Sequence, residues 1–130
     1  VLFLEKVSPA LEQVDSSSGA TGAAVNHALE PCARIIAAVP VDDRTRDRWL
    51  DRLWKAHQND AIPYIERLAD HWGELCASRE RASAWADRLI GTVESMSGPT
   101  RQPGGYFLGT IACLSALFHA ERFDEAIALA

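Results

Sequence analysis

The chain is short of the residues that build the most recognisable sites. It has 3 cysteines in 130 residues, and Cys32, Cys76 and Cys113 form neither a CxxC pair nor a Cys/His zinc spacing. Each falls in an apolar-periodic segment, where reduced cysteine behaves as a small hydrophobe. That usage fits a reducing cytoplasm and not a secreted disulfide scaffold. Lysine is scarcer, with Lys6 and Lys55 against 11 arginines. The formal net charge is −5, and without a basic face a protein cannot displace counterions from a polyanion. Nucleic acid is therefore not an expected partner. No apolar run is long enough to span a bilayer, since the longest, 106–118, has buried-helix length. A membrane is not expected either. The apolar start Val1-Leu2-Phe3-Leu4 has no basic stretch before it and no cleavage site after it, which makes a poor signal peptide. Strand signals are nearly absent, with no hairpin dipeptide between alternating runs.

What remains is an ordinary globular composition. Hydrophobic residues make up 48% and charged residues 24%, which excludes disorder and low-complexity fibre. Residues 1–130 are expected to form one helical-repeat domain with its own core. Helical periodicity runs almost throughout. The first expected helix covers Leu2 to Val14 with a break or kink at Ser8-Pro9, and the second covers Ala20 to Val39 with a kink at Pro31. Asp42 or Asp43 caps the third, whose inward face carries Trp49, Leu50, Leu53, Trp54 and His57. Its outer face sets the row Arg44, Arg48 and Arg52 beside Asp43, Asp47 and Asp51, a neutral salt-laced surface.

A fourth helix is expected to start at an Asp60 cap, with Pro63 in its first turn and a stripe of Ile62, Ile65, Leu68, Ala69, Trp72, Leu75 and Cys76. Ser78 caps a fifth, with Ala82, Trp85, Ala86, Leu89, Val93 and Met96 facing inward. After the loop 97–105, a sixth helix from Tyr106 to Ala120 is apolar on nearly every side and must be covered from several directions. Its small residues Gly105, Gly109, Cys113, Ala112, Ala116 and Ala120 allow close backbone approach. A seventh begins at Phe123 or Asp124. The fold class expected is all-α: a right-handed helix-pair solenoid of tetratricopeptide type, or an irregular helical-repeat bundle of six to seven helices.

A shift of 64 residues lays Leu50, Leu53, Trp54 and Ala56 on Leu114, Leu117, Phe118 and Ala120, as a helix-pair repeat would. Ala120-Glu121-Arg122-Phe123-Asp124-Glu125-Ala126-Ile127 resembles the central part of a tetratricopeptide repeat. On that register Leu114 stands where the repeat has a small residue and Thr110 where it has an aromatic. The wider chain resembles an uncharacterised family of bacterial proteins with helical-repeat C-terminal regions. The stretches that carry this are Val7-Ser8-Pro9-Ala10-Leu11-Glu12, Asp70-His71-Trp72-Gly73-Glu74-Leu75-Cys76, and Tyr106-Phe107-Leu108-Gly109-Thr110 with Ala112-Cys113-Leu114-Ser115-Ala116-Leu117. The resemblance implies a helical-repeat fold and no particular activity. The chain also reads as a piece of something longer: it opens inside an apolar helical pattern and stops before any helix-ending Gly or Pro. Self-association through uncapped apolar ends (Val1, Leu2, Phe3 and Leu4 at one, Phe123, Ile127 and Leu129 at the other) is the corresponding expectation.

Chemistry-bearing patterns are few. His27, His57 and His71 each precede a carboxylate by three residues (Glu30, Asp60, Glu74), which on a helix puts both groups on one face. Di-iron sites use the reverse order, so core or surface histidines are the default and no metal or cofactor is expected. Gly104-Gly105-Tyr106-Phe107-Leu108-Gly109-Thr110 has the glycines of a phosphate loop but Thr110 in place of its lysine, and no strand before it. Glu66, Asp70 and Glu74 read as a solvated acidic face, and no nucleophile–base pair is evident, so no catalytic residue is assigned. Aromatic residues are the main lead: solenoids use them to anchor partner peptides. Trp49, Trp54, Trp72 and Trp85 each head a core stripe, while Tyr64 lies off its stripe and is expected to face out. Tyr64, Trp72 and His71 are the candidate binding residues. The expected function is a non-catalytic module binding a protein, a peptide or a neighbouring domain of its own chain. The alternative is an enzyme whose inter-helix cleft is completed by residues outside this sequence.

Overall fold

The structure, a computed structural model, describes residues 1–13, 19–62, 64–96 and 109–130, with the side chains of 94–96 excepted. The described residues form seven α-helices and one 3-10 helix, with no strand among them. None of these helices is long and apolar enough to cross a membrane. The chain divides into two compact units, Val1–Leu68 and Ala69–Ala130.

In the first unit, α1 spans Leu2–Leu11, α2 Ala20–Ala38 and α3 Asp43–Gln58. Both helical prolines are accommodated: α1 runs through Pro9 and α2 through Pro31. Each proline leaves the carbonyl four residues earlier without its usual donor. Both rings are exposed, so water can serve the freed carbonyls. The break expected at Ser8-Pro9 is thus not made, and the expected end at Val14 lies outside the described residues. Asp42 caps α3 through its side chain, accepting from the Thr45 amide at 2.6 Å, the role its position predicts. Leu4, Leu29, Ala33, Leu50 and Leu53 are at most 1% exposed and form the centre of this unit's core.

Two polar links fasten α1 to the C-terminal half of α3 and the turn after it. The Glu5 carboxylate takes two bonds from Arg52, at 2.7 and 2.5 Å. This pairing holds the Glu5 carboxyl below its ordinary range, the Arg52 hydrogen bond being the main cause. Ser8 Oγ donates to Asp60 Oδ1 at 2.5 Å. A third link joins α2 to α3: Arg46, only 4% exposed, donates to the carbonyls of Ile36, Ala37 and Val39. The last four carbonyls of a helix have no intrahelical donor, and the guanidinium fork of the next helix supplies one.

The segment after α3 departs most from expectation. The fourth helix does not start at Asp60. Residues 61, 62, 64 and 65 are irregular, a 3-10 helix covers Glu66–His71, and α4 is only Trp72–Cys76. Asp60 accepts from the Ile65 amide at 2.8 Å while holding Ser8. Its cap therefore reaches five residues forward and delays the helix. Pro63 lies outside the described residues. The apolar stripe survives the change, with Ile65, Leu68, Ala69, Trp72, Leu75 and Cys76 buried, but Ile62 is 47% exposed.

The second unit contains α4, α5 (Arg79–Met96), α6 (Gly109–His119) and α7 (Phe123–Leu129). Ser78 Oγ accepts from the Arg81 amide at 3.2 Å, so it caps α5 as its position predicts. Ala82, Ala86, Ala112, Cys113, Ala116 and Leu117 are fully buried, and α6 lies against α4, α5 and α7. This is the covering its all-round apolarity requires. The approach is closest at Gly73, where an added Cβ would stand 2.4 Å from the Ser115 carbonyl. Ser115 Oγ accepts from the Gly73 amide at 2.9 Å and donates to the Asp70 carbonyl at 3.0 Å. The loop 97–105 and residues 106–108 lie outside the described residues, and with them Tyr106 and most of the glycine-rich stretch.

Candidate functional site

Tyr64 does not face out. It is 5% exposed, with its ring beside Gly22 of α2. The expectation placed it off a helical stripe, but residues 61–65 are not helical, so the helical register does not decide its direction. Trp72 is fully buried and meets Trp85 edge-on, ring centres 5.0 Å apart. It is a core residue, as the heading of its stripe suggests. His71 is half-buried, its Nδ1 3.6 Å from Glu74. Of the three candidate binding residues, Tyr64 and Trp72 are thus buried and His71 is half-buried.

The remaining histidines are also dispersed. His57 is 2% exposed, stacked on Trp54 with ring centres 5.5 Å apart. Its Nε2 lies 3.3 Å from the Glu66 carbonyl, while Nδ1 has no partner. Desolvation, the largest influence, pulls its pKa below the ordinary histidine value, so the neutral ring with the proton on Nε2 is favoured. Asp60, its expected companion, is engaged with Ser8 and Ile65. His27 is exposed. Among the described residues no three His, Cys, Asp or Glu side chains converge to hold a metal. Burial pushes the Cys113 thiol up to about 11, the opposite of what a nucleophilic thiolate needs.

A cavity of about 260 Å³ in the second unit is lined by Gly73, Glu74, Ala77, Ser78, Arg79 and His119. Its polar groups are mostly committed elsewhere. Arg79 donates to the Ala120 carbonyl and pairs with Glu121 at 2.9 Å, and Ser78 is the α5 cap.

A surface feature of the same unit is more informative. Ile111 and Phe118 on α6, and Phe123 and Ile127 on α7, are 44%, 62%, 48% and 75% exposed. Positions 111 and 118 are two turns apart, and 123 and 127 one turn apart, so each pair shares a helix face. Phe118 and Phe123 join the two faces, edge-to-face at 5.6 Å. The turn between them is fixed twice over. The Arg122 amide donates to Leu117 O and the Glu121 amide to Phe118 O, at 2.9 and 3.1 Å, with Glu121 in the left-handed region at φ +59°. This is a Schellman cap. Arg122 then ties α7 to α5 through Asp87 at 2.6 Å and bonds Glu125 at 2.5 Å. The apolar strip is thus held on a braced hairpin. Its acidic neighbours Asp124 and Glu121 are exposed.

Phe123 and Ile127 stand out as apolar in the sequence, but their join to Phe118 depends on the geometry of the turn. Arg46 looks in sequence like one more surface arginine. Comparison with known proteins adds no relative: no family model matches the chain, and neither a curated protein nor a solved structure does.

Proposed function

We propose that the chain is a non-catalytic helical module that docks an amphipathic helix on the α6–α7 hairpin. The two helices act as one tetratricopeptide-like pair, and the occupant comes from a partner protein or peptide or from a neighbouring domain of the same polypeptide. The observation that carries this reading is the exposed edge-to-face pair of Phe118 and Phe123. Exposed apolar groups joined across two helices are what a helix-in-groove mode uses as anchors. The exposed Asp124 favours a helix whose apolar face is flanked by Lys or Arg, with the charge setting register more than affinity.

A photo-reactive benzoylphenylalanine placed at Ile127 in the intact polypeptide tests this in the native cell. The expected product is a cross-link to a single helical segment, lost when Phe118→Asp and Phe123→Asp are added. Absence of any cross-link, or a cross-link that persists in the double variant, overturns the reading.

A further inference from the structure

In the first unit, both lysines of this arginine-rich chain line one cavity. Lys6 stands on α1 and Lys55 on α3, and the space between these helices has a volume of about 240 Å³. Leu4, Pro9 and Ala56 form its apolar wall. Ser8, Asn59 and the Glu5–Arg52 pair form the rest. The lining thus holds three cations and one carboxylate, in a protein of net charge −5. Glu5 is spent on Arg52, which binds it through two nitrogens. Neither lysine forms an ion pair among the described residues, although Lys6 acts on Glu5 through space. Both lysines are exposed, so their ammonium groups are free to close on an anion.

The hydroxyl in the wall refines the ligand. Ser8 is 2% exposed and spends its one proton on Asp60 Oδ1. A serine hydroxyl has one proton and two lone pairs, so any further bond at Ser8 Oγ is one it accepts. Asp60, which takes that proton, adds a negative charge beside Ser8. An anionic group is therefore disfavoured next to Ser8 and favoured between the lysines, while a ligand hydroxyl is suited to Ser8. Its volume of about 240 Å³ lies below the roughly 300–1,000 Å³ of drug-sized ligand pockets, so the ligand it suits is small.

We infer that the cavity between α1 and α3 binds a small soluble hydroxylated anion, its phosphate or carboxylate between Lys6 and Lys55 and its hydroxyl on Ser8. This site is separate from the α6–α7 hairpin and stands whether or not that hairpin docks a helix.

The test is a calorimetric and NMR titration of the intact chain with glycerol phosphate, inorganic phosphate and glycerol at fixed ionic strength. Saturable binding of glycerol phosphate, tighter than inorganic phosphate and with no response to glycerol, is expected. Amide shifts should concentrate at residues 4–9 and 52–59. Lys6→Gln with Lys55→Gln should weaken binding by about tenfold or more, as the loss of charge-assisted bonds implies. Both side chains are exposed, so the melting temperature of this variant should be unchanged and an unfolded variant cannot mimic the loss. No saturation, equal affinity for phosphate and glycerol phosphate, or undiminished binding by the double variant overturns the inference. Co-sedimentation with phosphatidylglycerol vesicles that outcompetes soluble glycerol phosphate would assign the cavity to a lipid headgroup and overturn it as well.

Discussion

Arg46 and His57 carry the clearest consequences of single side chains. Arg46 brings a charged fork to three carbonyls at the end of α2, and it does so from a nearly closed position. Hydrogen bonds from a charged donor contribute about 1.5–3 kcal/mol, and orphaned buried acceptors add to the loss. Arg46→Ala should therefore lower unfolding free energy by about 2–3 kcal/mol in urea titrations. Arg46→Lys should recover only part, because an ammonium is a point donor and cannot span several carbonyls. A loss under 0.5 kcal/mol, about what surface substitutions give, would show that water serves those carbonyls equally well.

His57 sets a pH dependence. Its folded pKa lies below the ordinary 6.5, chiefly through desolvation, with the Glu66 carbonyl and the charges of Asp60 and Glu66 partly opposing. Across the window from 6.5 down to the folded pKa, the unfolded chain binds more protons than the folded one. Stability therefore rises with pH through that window and is fully present above it. The expected outcome is a melting temperature that falls as pH drops below about 6.5 and a shallower fall in His57→Gln. Because Trp54 stacks on His57, its fluorescence should report the same titration. An identical pH profile in the variant would remove His57 as the source.

At the scale of elements, the α6–α7 turn holds a residue in a conformation it disfavours. Glu121 caps α6 at φ +59°, where a side chain costs roughly 1 kcal/mol relative to glycine. Its pairing with Arg79 joins two side chains that are 64% and 60% exposed, and such exposed pairs contribute little. Glu121→Gly should thus raise stability by about 0.5–1 kcal/mol in thermal or urea unfolding, the Schellman bonds being kept. A decrease would mean that the Arg79 contact outweighs backbone strain. The helix starts at Asp42, Ser78 and Phe123 or Asp124 were legible in sequence, because caps and periodicity act locally, whereas the geometry of this turn was not. The delayed helix after Asp60 was not legible either. It depends on Ser8, 52 residues away, and on an Asp60 cap that reaches Ile65 in place of a nearer amide. Tyr64 was misread for the same reason, since periodicity locates a face only where the backbone is helical.

Across the described residues, the separation of core from surface follows the sequence pattern closely in α5 and α6, and the α6–α7 hairpin carries an apolar strip outside it. Leu117 is fully buried while its neighbour Phe118 is 62% exposed, so the two should respond to truncation in opposite ways. Leu117→Ala removes packed core and should cost about 2–5 kcal/mol. Phe118→Ser with Phe123→Ser removes mainly solvent-facing surface and one edge-to-face pair, itself about 0.5–1.5 kcal/mol. The double variant should lose no more than about 1.5 kcal/mol. Exposed apolar strips are also association sites, so this variant should scatter less light at high concentration than the parent, which Leu117→Ala should not. If the double variant melts as early as Leu117→Ala, the strip belongs to the folding core and is no docking surface.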